Sequence, residues 1–336
     1  MRLIRSLIIV LIVIVVILMA VLALGSWLSL DRQHRHTVET AALPLLDPTT
    51  RDGLVRIAAN GFEFRARVAG LGNTGPGVVL LHGFPETSAM WEPLISLLAD
   101  QGYRVVAFDQ RGYSPGARPD GVSAYTIPQL VDDVFAVATA VGMQQFHLVG
   151  HDWGAAVGWA AAIARPEPLL SWTSLSIPHI SAFSDALAND EDQRRRSRYM
   201  LFFRTPWLPE AMFTFNHLAL MNDVMYRDMS VPQRAEYNAV FAEPGALTAA
   251  LNWYRAPGAF APGIVPKVQL PVLFIWGNQD PAVGRAAVDA QRSYIEGPFE
   301  FHELNAGHWL MEQQSDQVDS FILQFLRAHD PQPVAP

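Results

Sequence analysis

The sequence predicts an α/β fold: a mostly parallel sheet flanked by helices, with a helical cap inserted and one apolar helix ahead of it. Three observations lead there. Short continuous apolar runs, such as "GVVLLHG" (77–83) and "PVLFIWG" (271–277), read as strands buried on both faces. Segments with helical spacing alternate with these runs, which implies parallel strands joined by crossover helices. The alternation stops between residues 178 and 266 and then resumes, so a helical unit interrupts two stretches of one sheet.

The first element is the run from Leu7 to Leu24, apolar without a break, with Arg2 and Arg5 before it and Asp31, Arg32 and Arg35 after it. Roughly 20 apolar residues span a bilayer core, whereas the apolar part of a signal peptide is usually about 7–15. Residues 1–30 are therefore expected to be an uncleaved anchor, with a signal peptide as the rival reading. Basic residues on both sides leave the orientation weakly determined, slightly favouring a cytoplasmic N-terminus. Residues 31–52, polar and then proline-punctuated, read as a stalk.

From there the elements follow in order. "LVRIAANGFEFRARVAG" reads as a hairpin turning at Asn60-Gly61. Strands are expected at 77–83, 103–109, "FHLVG", 169–177, 271–277 and 299–304. Helices are expected near "MWEPLISLLADQ", 127–142, Trp153 to Arg165, 283–294 and 315–328. The body is then 53–177 with 267–329, and the cap 178–266. The closing "DPQPVAP" reads as a disordered tail.

Composition narrows the function. Of 336 residues, 50% are hydrophobic, enough for a large core, and no long segment has the make-up of disorder. A formal net charge of −8 lacks the basic footprint of nucleic-acid binding, so no such partner is expected. Cysteine is absent, which removes disulfides, thiolate chemistry and cysteine metal sites. Neither a cofactor nor a metal site is expected, and the oligomeric state stays open.

The chemistry is carried by "HLVGHDWGAAVGW" (147–159), a strand, a sharp turn and a helix. Gly150 and Gly154 flank the turn in the outline that hydrolases use to present a nucleophile, but its centre is Asp152. Parallel sheets of this kind bind ligands at the carboxyl ends of their strands. His82, Asp109, Asp152, Asp280 and His308 all fall at such ends. Beside a helix N-terminus a carboxylate stays ionised and is able to attack carbon, forming an ester that water must then cleave. His308 in "NAGHW" is the expected base and Asp280 in "WGNQDP" its orienting acid. The oxyanion formed during ester hydrolysis needs two backbone N–H groups. Trp153 and Phe84 are the expected donors, and His82 is expected to hold the Phe84 loop. The competing bland readings are a helix cap for Asp152 and solvated loop residues for the other two.

With these residues in hand, the chain resembles an α/β-hydrolase of the epoxide hydrolase group. The carrying motifs are "HGFPE" (82–86), "DQRGYS" (109–114), "GHDWG" (150–154), "RYMLFFRTP" (198–206), "EPGALTAALNWYR" (243–255), "WGNQDP" (276–281) and "GHW" (307–309). The resemblance covers most of 53–328, and members of the group with one N-terminal membrane helix are similar to it at the N-terminus. It implies two cap tyrosines, Tyr199 and Tyr254, whose hydroxyls bind the epoxide oxygen and donate a proton as the ring opens. It departs from the group's pattern at Ser114, expected on a surface turn, and at Pro178-His179-Ile180.

The expected function is hydrolysis of an epoxide to a vicinal diol, with a small lipophilic substrate and water as partners and a membrane met through the N-terminal helix. Haloalkane dehalogenases share the Asp nucleophile and are the alternative; a non-catalytic module on the same fold is a second. A serine esterase is excluded at this turn, which has no serine. Phe202, Phe203, Trp207, Met212 and Phe213 suggest an apolar pocket, most of them expected in the cap's own core.

Overall fold

Asn60 and Gly61 both take positive φ, 48° and 77°, and close the hairpin between β1 (Gly53–Ala59) and β2 (Phe62–Ala69). That is the backbone a two-residue hairpin turn needs. In the computed structural model, which describes residues 2–258 and 266–331, β2 then pairs antiparallel with β4 (Arg104–Phe108). The remaining strands are β3 (Gly77–Leu81), β5 (Phe146–His151), β6 (Leu169–Leu175), β7 (Val272–Gly277) and β8 (Phe299–Leu304). Among the described residues they form one eight-stranded sheet in the order β1-β2-β4-β3-β5-β6-β7-β8, parallel from β4 to β8.

Side-chain alternation divides the core between the two faces. Val79, Leu81, Leu148 and Phe274 point to one face, under the helix Trp153–Ala164. Val78, Leu80, Val149 and Ile275 point to the other, under Glu92–Asp100 and Ser315–Ala328. Every residue of β3, β5 and β7 is buried, which is why their sequences read as continuous apolar runs.

Between β6 and β7 the described chain is helical: Ile180–Asn189, Glu191–Arg196, Arg198–Arg204, Leu208–Val224 with a break at Phe215–Leu218, Val231–Phe241 and Ala246–Arg255. The expected cap also takes in 259–265, which lie outside the described residues. This insertion is tied to the sheet by polar bonds that are out of water. Glu236 receives the guanidinium groups of Arg65 and Arg67 from β2 and the hydroxyl of Thr87. Trp253 donates its indole N–H to the carbonyl of Arg111 at 2.9 Å.

Three expectations need correction. Residues 31–52 are not a free stalk. Arg35–Ala41 is helical, Thr37 donates its amide and hydroxyl to the buried Glu243, and Pro44 and Leu46 pair with Arg56. Ser114 is not on the surface. It is fully buried, donates to the carbonyl of Asp109 at 2.6 Å and accepts the amide of Arg65 at 2.8 Å. The tail begins docked: Asp330 accepts the Tyr103 hydroxyl and bonds His147. Residues 332–336 lie outside the described residues.

The N-terminal helix Arg2–Ser29 is long and apolar enough to cross a membrane. From Leu22 onward it turns half-buried and packs on the insertion.

One contact sets how closely the helix Trp153–Ala164 approaches the sheet. A Cβ on Gly158 would stand 2.0 Å from the ring of Trp172, itself fully buried. Gly158→Ala is expected to lower stability by about 1–3 kcal/mol through overpacking. Chemical denaturation checks this, and an unchanged midpoint would contradict the packing described.

Candidate active site

The strand β5 ends at Asp152, where the backbone takes φ 51° and ψ −120°. A non-glycine residue rarely sits there, and such strain gathers at functional turns. Two glycines make the turn possible. A Cβ on Gly154 would lie 2.2 Å from the carbonyl oxygen of Leu81, so the helix after the turn is seated on the end of β3. A Cβ on Gly83 would lie 2.4 Å from Cβ of Asp152 itself. The loop after β3 therefore closes directly on the aspartate. Asp152 makes no side-chain cap to its own helix, so the helix-cap reading fails. Instead its Oδ1 accepts the backbone N–H of Phe84 at 2.9 Å.

The other carboxylate oxygen, Oδ2, lies 3.4 Å from Nε2 of His308. On the far side of the ring, Nδ1 is 2.8 Å from Asp280 Oδ2. The second oxygen of Asp280 accepts the amides of Ala282 and Val283 at 2.7 and 3.1 Å. With Asp280 fixed in this way, Nδ1 carries a proton and donates to it, while Nε2 faces Asp152.

Burial acts on His308, Asp152, Tyr199 and Tyr254 alike. It alone would push the His308 imidazole down, but Asp280 and Asp152 override it and hold the pKa well above the usual value. Burial likewise works against the Asp152 carboxylate, and His308, His151 and the Phe84 amide together pull its pKa below the ordinary range. Tyr199 and Tyr254 are pushed well up, first by burial and then by the charge of Asp152. Both phenols stay protonated and able to donate.

Phe84, Asp152, Tyr199, Tyr254 and His308 line one cavity of about 250 Å³, closed by apolar groups such as Phe203 and Met225. The two tyrosine rings stand 6.3 Å apart, and Tyr254 packs edge-on against Trp153 at 4.8 Å. A recess of about 20 Å³ continues behind Asp152 between Ile177, Phe183 and Met200.

The structure thus brings together Asp152, His308, Asp280, Tyr199, Tyr254, Phe84 and Trp153, with Asp280 behind the imidazole rather than on the cavity wall. Asp109 lies elsewhere: it is fully buried and pairs with Arg65 at 3.0 Å. His82 accepts the amide of Gln110 at 3.0 Å and holds the loop. Of the apolar residues expected in the insertion's core, Phe203 and Phe213 are buried and Phe202 half-buried, but Trp207 and Met212 are exposed.

Sequence reasoning missed one group of neighbours. The buried His151 bonds the carbonyl of His308 through Nε2 and Glu86 Oε2 through Nδ1, both at 3.0 Å. A carbonyl only accepts, so Nε2 carries the proton and Nδ1 must receive one. Glu86 supplies it as a neutral carboxyl, since burial raises its pKa to about 8. Burial also lowers His151 to about 4, which keeps the ring neutral. Both residues lie inside quoted motifs, "HGFPE" and "GHDWG", but their pairing across 65 positions leaves no local signal.

This geometry has counterparts. The sequence pattern of the alpha/beta hydrolase fold matches residues 76–315. The chain is 31% identical over 287 residues to epoxide hydrolase 3 of Mus musculus, covering 83% of this chain and 78% of the relative. It is 30% identical over 307 residues to epoxide hydrolase A of Mycobacterium tuberculosis, covering 78% and 94%. Among solved structures, epoxide hydrolase A of Mycobacterium thermoresistibile is 27% identical with a TM-score of 0.68, over 84% of this chain and 100% of that one. An epoxide hydrolase of Bacillus megaterium in complex with an inhibitor is 25% identical with a TM-score of 0.74, over 81% and 99%. The chain belongs to the α/β-hydrolase family, in its epoxide hydrolase group, and is a hydrolase.

Proposed function

We propose that the protein opens an epoxide to a vicinal diol through a covalent ester on Asp152. One observation carries the reading: a single buried carboxylate meets an amide on one oxygen and an imidazole on the other, facing two protonated phenols.

In the first step Asp152 attacks a ring carbon, and the C–O bond of the epoxide breaks. The departing oxygen takes a proton from Tyr254 or Tyr199, and the His308 imidazolium returns one to that phenolate, which leaves the imidazole neutral. In the second step His308 removes a proton from water, and the resulting hydroxide adds to the carbonyl carbon of Asp152. The carbonyl oxygen becomes an anion facing the amides of Phe84 and Trp153. Collapse expels the second oxygen of the diol, which takes the proton of the new carboxyl group. The proton taken from water leaves the imidazole as the cation it was at the start.

The charges favour this order. Asp152 is anionic before attack and raises His308. Once esterified it carries no charge, so that upward pull vanishes and the imidazole turns into a base when it is needed. The predominantly apolar cavity suits a small lipophilic substrate. In this reading residues 53–177 and 267–329 are the catalytic body, 178–266 the cap, and the N-terminal helix a membrane anchor.

His308→Gln removes the base but spares the nucleophile. Incubated with an epoxide such as styrene oxide, it is expected to gain the mass of one substrate on the peptide holding Asp152. An unmodified variant beside an active wild type would overturn the two-step scheme.

Tyr254→Phe separates epoxide opening from halide release, because only an epoxide needs the phenolic proton. Epoxide turnover is expected to fall by about a hundredfold or more. Unchanged epoxide turnover, or wild-type release of halide from haloalkanes, favours the dehalogenase reading.

Asp280 raises the pKa of His308, and the base works only when neutral. Asp280→Asn is therefore expected to move the acid limb of the pH–kcat profile to lower pH, while the plateau falls through lost orientation. A limb that moves to higher pH would contradict the assigned pair.

A further inference from the structure

The N-terminal helix packs on the insertion. Ser26 bonds Thr214 at 2.6 Å, and Ser29 accepts the amide of His217 at 3.1 Å. Gly25 is pressed on the ring of Phe215. The contact falls where Leu208–Val224 leaves helical angles at Phe215–Leu218, so the half before that break, with Phe213, adjoins the end of the apolar helix. An apolar core takes about 20 helical residues. A span starting at Ile4 then ends about where this packing begins. Just beyond, Arg32 lies 3.3 Å over the exposed ring of Trp27, a pairing suited to the level of the headgroups.

The helix Arg198–Arg204 packs on that same end through Phe202 and Phe203 against Phe213. Its outward face continues that of Glu191–Arg196: Arg194, Arg198, Leu201 and Arg204 are exposed at helical spacing. Leu201 is 66% exposed, Trp207 43% and Met212 36%. Arg194, Arg195, Arg198 and Arg204 line a cleft of about 540 Å³, in which Glu191 is the one carboxylate. Arg195 is paired with Asp192. Arg194 and Arg204 donate only to backbone carbonyls, of Ala188 and Tyr254, and Arg198 has no partner among the described residues. Three guanidinium groups against the single carboxylate of Glu191 leave the cleft net positive, concealed in the sequence by an overall charge of −8.

We propose that this face, with Leu201 beside Arg194, Arg198 and Arg204 and with Trp207 and Met212 exposed on the segment that follows, docks on the anionic leaflet from which the N-terminal helix emerges. The arginine cleft receives lipid phosphates while the apolar side chains enter the acyl boundary. The proposal rests on the anchoring reading above. It also places the bilayer next to the chemistry: Arg204 donates to the carbonyl of Tyr254, and Met200 walls both the cleft and the recess behind Asp152.

The cysteine-free chain makes the test direct. Full-length Leu201→Cys, Leu11→Cys and Val231→Cys are each labelled with a fluorophore and reconstituted in bilayers carrying a nitroxide lipid. Bilayers are phosphatidylcholine alone or mixed with phosphatidylglycerol. Position 11 is expected to be quenched in both, position 201 strongly only in the anionic mixture, and position 231 in neither. Each arginine near an anionic surface is worth about fivefold in the docked ratio. Adding Arg194→Glu and Arg198→Glu should thus abolish quenching at 201. If position 11 is not quenched, the anchor reading fails and the proposal with it. If 11 is quenched but 201 is not, the docking alone is overturned. Quenching at 201 that is equal in neutral bilayers overturns the arginine assignment. So does the loss of quenching with inorganic phosphate at constant ionic strength, which would mark a soluble-anion site.

Discussion

A carboxylate kept charged inside an apolar cavity is the constraint on which the site depends. Burying an unpaired charge is costly, and burial alone pushes the Asp152 carboxyl up. The chain offsets this with few contacts: one amide, from Phe84, and one imidazole, from His308. Neither is available unless the backbone at Asp152 turns to positive φ and carries the side chain away from its own helix. That turn in turn requires the bare backbones of Gly154 and Gly83, pressed against β3 and Asp152. The sheet, the turn and the loop after β3 therefore act as one device for holding a single charge.

The same charge governs its neighbours. After burial itself, it pushes the phenols of Tyr199 and Tyr254 further up, which suits proton donors. Together with Asp280 it holds the pKa of His308 well above the usual value. Behind the imidazole, Asp280 is locked by two backbone amides, so the ring has one orientation. Glu86 and His151 brace the backbone of the same histidine as a neutral pair, without adding another charge to the pocket.

Much of this was legible in the sequence because it is local. Asn60-Gly61 encodes its hairpin through two positive φ angles. The buried strands announce themselves as apolar runs, and the turn around Asp152 carries its glycines within two positions. What was not legible depends on residues far apart. Thr37 binds Glu243 across 206 positions, which turns an apparent stalk into a docked segment. Ser114 looks like a turn residue, yet it satisfies two backbone groups inside the core. Trp207 and Met212 resemble core residues by type, and only the packing of the insertion shows that they face outward.

The central claim is that water attacks the enzyme, not the substrate, after Asp152 has been esterified. A single turnover in oxygen-18 water, with enzyme in excess over a racemic epoxide, tests it most directly. The account predicts that the heavy oxygen enters the carboxylate of Asp152 while the first diol formed remains unlabelled. Label appearing in that diol, with the peptide holding Asp152 unchanged in mass, would contradict it.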